Sequence, residues 1–400
     1  MGQILHLIVL LISLTTPVIE AQSFKTLVAP ITQVNPSTFL YTITLNRKEK
    51  LVIDLESPFS WHHCRKAFPR VSCQAKQCTA ARGPNQTPCP SHNPRTPCST
   101  LPSNPVNHSY ASSHLTYTNV STAFTDGHNP FAQAHYKKIF LSCAPKFLIK
   151  SLPKGTSGFA SLSNGTLSLV SQFSTSKVPI KFGMCLGDQG VAFFGEGPFY
   201  LLPPPGRDVT QLLSYTPLLK HPFRDTLGHY IGFKGISING QAVEFSKKML
   251  PFDKLVMLST VTPYTILKSY IYRVFLRQFK KATRGIPRVT KVAPFGLCLN
   301  TSDLGSTRVG LPVPKIDLQL IKGGNWTIFG ANSMVQVSKD VACLAFVNGG
   351  KKAKNAVVIG SYQMQHNFLL FDLVRSRLGF SSLLFFFQTT CNNFNFTSGV

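Results

Sequence analysis

Short runs in which apolar and polar residues alternate occur along most of the chain, bounded by Gly, Pro, Asn and Asp. A period of two is typical of β-strands, whose successive side chains point to opposite faces. The pattern predicts strands at 40–45, 50–53, 192–194, 230–233, 236–238, 316–320, 357–359 and 368–371. We therefore expect a mostly β protein.

One longer apolar pattern, after Thr262, has the period of a helix. Pro263 suits the first position of a helix, and the basic residues between 280 and 284 suit the negative end of its dipole. These features predict a helix that begins at Pro263, with one apolar face formed by Leu267, Ile271, Val274, Phe275 and Phe279. A structural role is expected for this apolar face.

The chain begins with the features of a secretory leader. Residues 4–14 are apolar but too few to span a membrane, and small or polar residues around Ala21 offer a cleavage point. We expect a signal peptide over residues 1–21 and a mature protein secreted to the extracellular space or cell wall. The apolar run at 383–387 is also too short to cross a bilayer, so no membrane partner is expected.

Cysteine content agrees with export. The chain has ten cysteines, an even number, and no Cys-x-x-Cys pair. Disulfides are the default in secreted chains. A zinc site is the alternative, because Cys73 and Cys78 lie close in sequence to His62 and His63. We expect five disulfides and no metal or other cofactor. The candidates are Cys64, Cys73, Cys78, Cys89, Cys98, Cys143, Cys185, Cys298, Cys343 and Cys391.

Seven Asn-x-Ser/Thr sequences also favour a secreted protein, because this sequence is the acceptor for N-glycans. A single site is weak evidence, but seven together predict that some are glycosylated. The candidates are Asn85, Asn107, Asn119, Asn164, Asn300, Asn325 and Asn395.

A proline-rich segment divides the chain into two halves. Residues 201–207 contain three consecutive prolines, which cannot lie within a central strand, so this segment is the candidate linker. We expect an N-terminal lobe over 22–205 and a C-terminal lobe over 206–400. Within the first lobe, residues 65–105 are rich in Pro, Ser and Asn, and we expect disulfides rather than a core to order this loop.

The chain is strongly basic although few of its residues are charged. It has 41 Lys and Arg against 15 Asp and Glu, a net charge of +26. This balance favours anionic partners such as acidic wall polysaccharide, and a solvated cation without a dedicated ligand is an equal alternative. The pairs Lys280–Lys281 and Lys351–Lys352 are not interleaved with base-stacking aromatics, so we expect no nucleic-acid partner and interpret both as solvated faces.

Two apolar strands that run into small polar turns occupy corresponding places in the two halves, at 51–57 and 255–262. The first, Leu-Val-Ile-Asp-Leu-Glu-Ser, resembles the strand and turn of pepsin-like aspartic proteases, in which two or three apolar residues precede Asp-Thr-Gly-Ser. Residues 158–173, 230–238 and 359–381 are similar to further landmarks of secreted plant members. The resemblance implies a bilobal, pepsin-like antiparallel β fold with a few short helices and a wide cleft between the lobes.

The reaction of that family requires one carboxylate from each lobe, sharing a proton and a water molecule. Asp54 keeps the first position, but Ser259 stands where the second Asp belongs. Asp253 is the only acidic residue within ten positions of Ser259, and its place six residues upstream directs its side chain elsewhere. We therefore expect no catalytic residue and interpret Asp54 as a structural remnant.

Two further elements of the catalytic machinery are altered. Glu56 and Val261 replace the glycines of the two turns, and the side chain of Glu56 is expected to disturb the backbone of its turn. No Tyr-Gly-Asp-Gly-like flap lies between residues 104 and 126.

Residues 40–64, 259–267, 292–298, 330–335 and 389–398 resemble the catalytically inert plant branch of this fold. That branch comprises xylanase-inhibitor-like proteins, xyloglucanase inhibitors, the extracellular dermal glycoprotein of carrot and the basic globulins of legume seeds. The resemblance implies a protein that binds and inhibits microbial cell-wall glycoside hydrolases in plant defence. It also implies the disulfides Cys64–Cys143, Cys185–Cys391 and Cys298–Cys343, with the other four cysteines pairing locally.

Two loops of the second lobe are the candidates for contact with such an enzyme. The resemblance places Arg308 where some inhibitors contact the enzyme, and its guanidinium suits a catalytic carboxylate; an ordinary exposed arginine is an equal alternative. The second loop has Phe385, Phe386 and Gln388 where inhibitors have a cation, and its phenylalanines are either an apolar anchor or packing beside Cys391. A residual aspartic endopeptidase and a basic cell-wall or seed storage protein are the alternative functions.

Overall fold

The computed structural model describes residues 25–35, 37–64, 67–83, 89, 93, 95–203, 206–222, 224–245 and 254–397. The expected signal peptide, the sequon at Asn85, two prolines of the linker (Pro204 and Pro205) and Asp253 lie outside these residues. None of the helices within the described ranges is long and apolar enough to cross a membrane.

Strands dominate the N-terminal half, as expected for a mostly β protein. The strands are β1 (Thr26–Asn35), β2 (Leu40–Leu45), β3 (Glu49–Asp54), β4 (Trp61–His63), β5 (Ser99–Thr100), β6 (Ser103–Asn104), β7 (Ser109–Tyr110), β8 (Ser113–Thr125), β9 (Pro130–Ala144), β10 (Thr156–Ser161), β11 (Lys181–Cys185), β12 (Gln189–Phe194) and β13 (Tyr200–Leu201). The helices are α1 (Lys76–Arg82) and α2 (Leu169–Phe173), with a 3-10 turn at Lys146–Ile149.

The C-terminal half has the same character. Its strands are β14 (Arg207–Asp208), β15 (Ser214–Leu219), β16 (Tyr230–Ile238), β17 (Gln241–Ala242), β18 (Leu255–Leu258), β19 (Thr265–Leu267), β20 (Arg288–Val289), β21 (Cys298–Asn300), β22 (Ile316–Leu320), β23 (Asn325–Ile328), β24 (Met334–Ser338), β25 (Val341–Leu344), β26 (Phe346–Asn348), β27 (Val357–Ile359), β28 (Phe368–Asp372) and β29 (Arg377–Phe380). The helices are α3 (Ser269–Ala282), α4 (Gly330–Ser333) and α5 (Ser361–Met364), with 3-10 turns at Val209–Leu212, Leu384–Phe387 and Cys391–Asn393.

A continuous antiparallel sheet joins the two halves. Its order is β1, β12 and β11 from the N-terminal half, followed by β28, β29 and β15 from the C-terminal half. At the junction Phe182 pairs with Phe371, and their rings stack 4.4 Å apart. The two lobes are therefore joined by a shared hydrogen-bonded sheet.

The expected linker is a docked hairpin. β13 pairs with β14, and the N–H of Leu202 between them donates to the carbonyl of Asn393 at 2.9 Å. The hydroxyl of Thr389 donates to the carbonyl of Leu202 at 2.5 Å. The described part of this segment is thus fastened to the C-terminal tail, so it does not act as a free connection.

Each half contains two short parallel strand pairs, and one pair in each half carries a candidate turn. β3 pairs with β10 in the first half, and β18 pairs with β27 in the second. Asp54 is the last residue of β3, and Ser259 directly follows β18. The two candidate turns therefore leave corresponding strands, as the repeated pattern in the sequence indicates.

The main helix, α3, begins at Ser269, so the predicted start at Pro263 is wrong. Residues Thr265–Leu267 form β19, which pairs with β26 and β27; two of its three residues are β-branched and suit a pleated surface. From Ile271 onward the predicted apolar face is correct, because Ile271, Phe275 and Phe279 are completely buried. This face fixes α3 against the core of the C-terminal half.

All ten cysteines form disulfides, with none left free. Cys64–Cys143, Cys185–Cys391 and Cys298–Cys343 are the pairs that the resemblance implies. Cys73–Cys89 and Cys78–Cys98 are the local pairs. A disulfide sulfur is not a thiolate, so the cysteines near His62 and His63 offer no ligand to zinc.

The disulfide-rich loop also has a small core of its own, which corrects the expectation that disulfides alone order it. α1 lies within it, and its Ala81 is buried. The cluster around this helix comprises Phe59, Val71, Cys78, Ala81, Cys98, Leu115 and Leu167. The loop is therefore packed onto the N-terminal lobe as well as cross-linked.

Candidate functional site

Asp54 is held by the turn that follows it. The N–H of Glu56 donates to Oδ1 at 2.9 Å, and the hydroxyl of Ser57 donates to Oδ2. The side chain is 4% exposed. Burial raises the pKa of the Asp54 carboxyl, while the hydrogen bonds from Ser57 and Glu56 oppose that shift. The carboxyl is thus engaged by its own turn and has little contact with solvent.

Glu56 does not disturb this turn, contrary to expectation. The turn residues 54–57 have no positive φ, so their backbone does not require glycine. The Glu56 side chain extends toward the other half, where it accepts a hydrogen bond of 3.1 Å from the hydroxyl of Thr226. Desolvation and the neighbouring Asp54 raise the pKa of the Glu56 carboxyl, and the charges of Arg224 and Lys354 oppose the shift.

The corresponding turn of the second half presents hydroxyl groups. Ser259 donates to the hydroxyl of Thr262 at 3.0 Å. Thr260 crosses to the first half and donates to the carbonyl of Ile53, the residue before Asp54, at 2.6 Å. The two turns therefore lie side by side. Among the described residues, the groups that hydrogen-bond to the Asp54 carboxyl come from its own turn, so no acid from the second half shares a proton with it there.

A cavity of about 1900 Å³ has Glu56 in its wall. Its other walls come from α1, β9 and residues 224–227. This exceeds the roughly 300–1,000 Å³ of pockets for small molecules, so it suits a polymer segment or a protein loop. Its charged lining residues are mostly basic: Lys76, Arg82, Lys137, Lys138, Arg224 and Lys354, against Glu56 and Asp225. Apart from the expected cleft between the lobes, sequence reasoning did not identify the residues that line this cavity, because its walls come from distant segments.

Arg308 lies in a tight turn. Thr307 and Gly310 close the turn with backbone hydrogen bonds of 2.9 and 3.1 Å. Gly310 has φ of 91°, and a Cβ atom there would lie 2.2 Å from the backbone nitrogen of Ala331, so glycine is required. The N–H of Ala331 donates to the carbonyl of Val309 at 2.8 Å, which fastens the turn to α4.

The guanidinium of Arg308 is available for contact. Its side chain is exposed, and within the described ranges no residue forms an ion pair or hydrogen bond with it. The backbone beneath it is closed by two hydrogen bonds and anchored to α4 by a third. The backbone of the turn is held in place, whereas the Arg308 side chain is exposed and can form an ion pair with a partner.

The second candidate loop is the 3-10 turn Leu384–Phe387. Phe385 packs against the ring of His366 at 4.7 Å. Phe386 is 46% exposed and touches the ring of Phe329 at 5.0 Å. The phenylalanines therefore divide between the two expected roles, one packed and one available to a partner.

The fold supplies a cation to this loop that the loop itself lacks. The guanidinium of Arg207 lies 5.8 Å from the centroid of the Phe387 ring, within the range of a cation–π contact. Gln388 follows in the left-handed conformation, with φ of 57°, and is exposed. The sequence could not reveal this contact because Arg207, in β14, lies about 180 residues before Phe387 in the chain.

The two loops are connected through residues 329–331. Phe329 contacts Phe386, and Ala331, two residues later, holds the turn that carries Arg308. We call Arg308, Phe386 and Gln388 the Arg308–Phe386 surface. It combines an exposed guanidinium, an exposed aromatic ring and an exposed amide.

Six of the sequon asparagines lie within the described residues. Asn107, Asn119, Asn164 and Asn325 are exposed, whereas Asn300 and Asn395 are half-buried. Glycans can reach the first four without local rearrangement, and glycosylation itself stays a prediction.

Comparison with known proteins agrees with this geometry. The family model described as xylanase inhibitor N-terminal matches residues 40–196, and the one described as xylanase inhibitor C-terminal matches residues 228–382. A protein of Oryza sativa subsp. japonica named chitinase CLP is 41% identical, over 93% of this chain and 92% of its own length.

Two solved structures have the same fold. The crystal structure of edgp has a TM-score of 0.85 at 34% identity and covers 94% of this chain and 99% of its own. Basic 7S globulin from soybean has a TM-score of 0.77 at 26% identity, over 94% of this chain and 100% of its own. The chain belongs to the xylanase-inhibitor family, within the catalytically degenerate plant branch of the pepsin-like proteins.

Proposed function

We propose that this protein is secreted and inhibits a microbial cell-wall glycoside hydrolase, of the xylanase or xyloglucanase class, by means of the Arg308–Phe386 surface. The observation that carries the proposal is the closed turn that presents a guanidinium with no partner among the described residues, joined through residues 329–331 to the loop with the exposed ring of Phe386. Membership of the xylanase-inhibitor family supports this class of partner.

The chemistry of the partner suits such a surface. The cleft of a glycoside hydrolase contains two catalytic carboxylates, roughly 5–9.5 Å apart. An arginine can bind one of them with two parallel hydrogen bonds, and a turn that is already rigid loses little entropy on binding. Arginine and aromatic residues are also the side chains on which binding energy is concentrated. The net charge of +26 would steer encounter with an acidic cleft.

The test is titration of the purified protein against a panel of fungal xylanases and xyloglucanases. We expect Arg308→Ala to weaken inhibition about thirtyfold, the effect of losing a contact of about 2 kcal/mol. Arg308→Lys should recover only part of the loss, because lysine keeps the charge but not the planar fork. Phe386→Ala should weaken inhibition independently of charge.

Arg70→Ala is the matched control, because Arg70 is an exposed arginine of the other lobe. It should inhibit as well as the wild type. Absence of inhibition by an excess of folded wild-type protein across the panel would remove the proposal. Equal inhibition by wild type and Arg308→Ala would place the contact on another surface.

A second candidate function is hydrolysis of a glycan by this protein itself. The observation that favours it is the Glu56 carboxyl, which lines the cavity and has a pKa raised by desolvation and by Asp54, as a general acid requires. The relative named chitinase supports a glycan substrate. Asp54 would act only through its charge, since it is buried.

Release of sugars from chitin oligosaccharides at acid pH tests this candidate. Glu56→Gln should abolish release, whereas Asp225→Asn, which changes another carboxylate of the same cavity, should retain it. No release by the wild type would eliminate the candidate and leave the inhibitor proposal standing, because the two depend on different residues.

A further inference from the structure

The exposed side of α3 and the chain after it form a second basic surface that the proposed inhibition does not use. Residues 254–302 contain nine Lys and Arg and no Asp or Glu. Seven of the nine lie on α3 or just beyond it, and six of these are exposed. We call these seven the α3 basic surface: Arg273, Arg277, Lys280, Lys281, Arg284, Arg288 and Lys291.

The fold brings these cations close to one another. Arg273, Arg277 and Lys281 repeat every four residues along α3, so they share one side of the helix at intervals of about 6 Å. The guanidinium of Arg288 donates to the carbonyl of Lys280 at 3.0 Å. Burial lowers the pKa of Lys280, and the charges of Lys291 and Arg288 lower it further.

Folding does not account for this concentration of charge. Like charges four residues apart destabilise a helix by a few tenths of a kcal/mol each. α3 packs against β16 and β26, and the one charged residue of those strands is another cation, Lys234. The helix dipole favours basic residues in the last turn, but it gives no reason for Arg273 and Arg277. An anionic partner outside the protein would relieve the repulsion.

We propose that the α3 basic surface binds a linear polyuronate, an acidic polysaccharide with a carboxylate on every sugar. The row from Arg273 to Lys281 is about 12 Å long and is followed by further cations beyond the end of α3, so it suits an extended polyanion more than a compact anion. Phe275 and Phe279, the aromatic residues between those ends, are completely buried. Single-stranded nucleic acid needs exposed aromatic platforms, and this surface has none between Arg273 and Lys291.

The test compares two variants that each remove four positive charges. The first changes the surface: Arg277→Gln, Lys281→Gln, Arg284→Gln and Lys291→Gln. The second changes basic residues that line the cavity: Lys76→Gln, Lys137→Gln, Lys138→Gln and Lys354→Gln. Binding to polygalacturonate and to its methyl ester is measured over a range of salt concentrations. Because both variants have the same net charge, a difference between them reports the location of the site.

We expect the wild type to bind polygalacturonate, more weakly as the salt concentration rises, and not to bind the methyl ester. The first variant should bind about tenfold more weakly, since each exposed charge pair contributes modestly, and the second should match wild type. The melting temperature of the first variant should equal or exceed that of wild type, because it loses like-charge repulsion within the helix.

Equal weakening in both variants would show that net charge alone retains the protein and would overturn the proposal. A larger loss in the second variant would place the site in the cavity. Unchanged binding to the ester, or tighter binding to duplex DNA than to polygalacturonate at the same salt, would overturn the assignment of a polyuronate. None of these results depends on whether the protein inhibits a hydrolase.

Discussion

Acid should destabilise this protein through His229, which connects the two halves. The residue lies just before β16 and is 3% exposed. Its Nε2 is 2.8 Å from the carbonyl oxygen of Leu162, to which the neutral ring donates a hydrogen bond. The ring packs against Phe371 at 4.7 Å. Burial lowers the pKa of His229 from 6.5 to about 4, although the hydrogen bond to Leu162 opposes the shift.

The sign and size of the effect follow from proton binding. Between pH 6.5 and about 4 the unfolded chain takes up a proton at His229 that the folded protein excludes. The stabilisation is therefore complete above pH 6.5 and is lost as the pH falls through this window. The difference in pKa corresponds to about 3 kcal/mol in total, of which about 2 kcal/mol is lost by pH 5.

Urea unfolding at pH 7 and pH 5, followed by the fluorescence of Trp61 and Trp326, measures this loss. His229→Gln keeps an N–H donor for Leu162 but does not titrate, so its free energy of unfolding should fall by about 2 kcal/mol less than that of wild type. His135→Gln, at an exposed position, is the control and should behave as wild type. Parallel loss of stability in wild type and His229→Gln would refute the reasoning.

Three further substitutions test the turns at Asp54 and Ser259 and the turn that carries Arg308. Thr260→Val leaves the buried carbonyl of Ile53 without its donor and should cost about 1–3 kcal/mol in urea unfolding, whereas Thr260→Ser should cost less; equal losses would contradict a role for the hydroxyl. Because burial raises the pKa of Asp54, the carboxyl stabilises the folded protein most below its ordinary pKa of 3.8, and this stabilisation is lost as the pH rises. Asp54→Asn, which cannot ionise, should therefore raise the melting temperature at pH 7; a lower melting temperature would contradict the argument. Gly310→Ala should weaken hydrolase inhibition, and Gly305→Ala, where a Cβ atom meets open space, should not; equal titration curves would show that the rigid turn is unimportant.

Local patterns predict several of the strands that are mostly buried in the core. The expected segments 40–45, 316–320 and 357–359 have the bounds of β2, β22 and β27. Pattern reading divides β16 into two because Lys234 is exposed within an otherwise buried strand. It extends α3 too far toward the N-terminus because β19, only three residues long, is stabilised by pairing with strands about 80 to 90 residues away.

The candidate site shows the same division. The loss of the second acid is readable from Ser259 because the motif is local. The tolerance of Glu56 is not readable, since it depends on Thr226 in the other half. Nor is the guanidinium that Arg207 brings to the Phe387 ring. Each of these contacts joins residues that are about 170 to 180 positions apart in the chain, so no local sequence pattern predicts it.

Residue order alone predicts the β class, an even set of ten cysteines and the replacement of the second acid by Ser259, because periodicity, composition and short motifs are properties of neighbouring residues. Folding adds the surfaces on which binding depends. The cavity beside Glu56 and the contact between Arg207 and the Phe387 ring arise only when the fold brings remote segments together. Long-range packing sets those distances, and no local pattern encodes them.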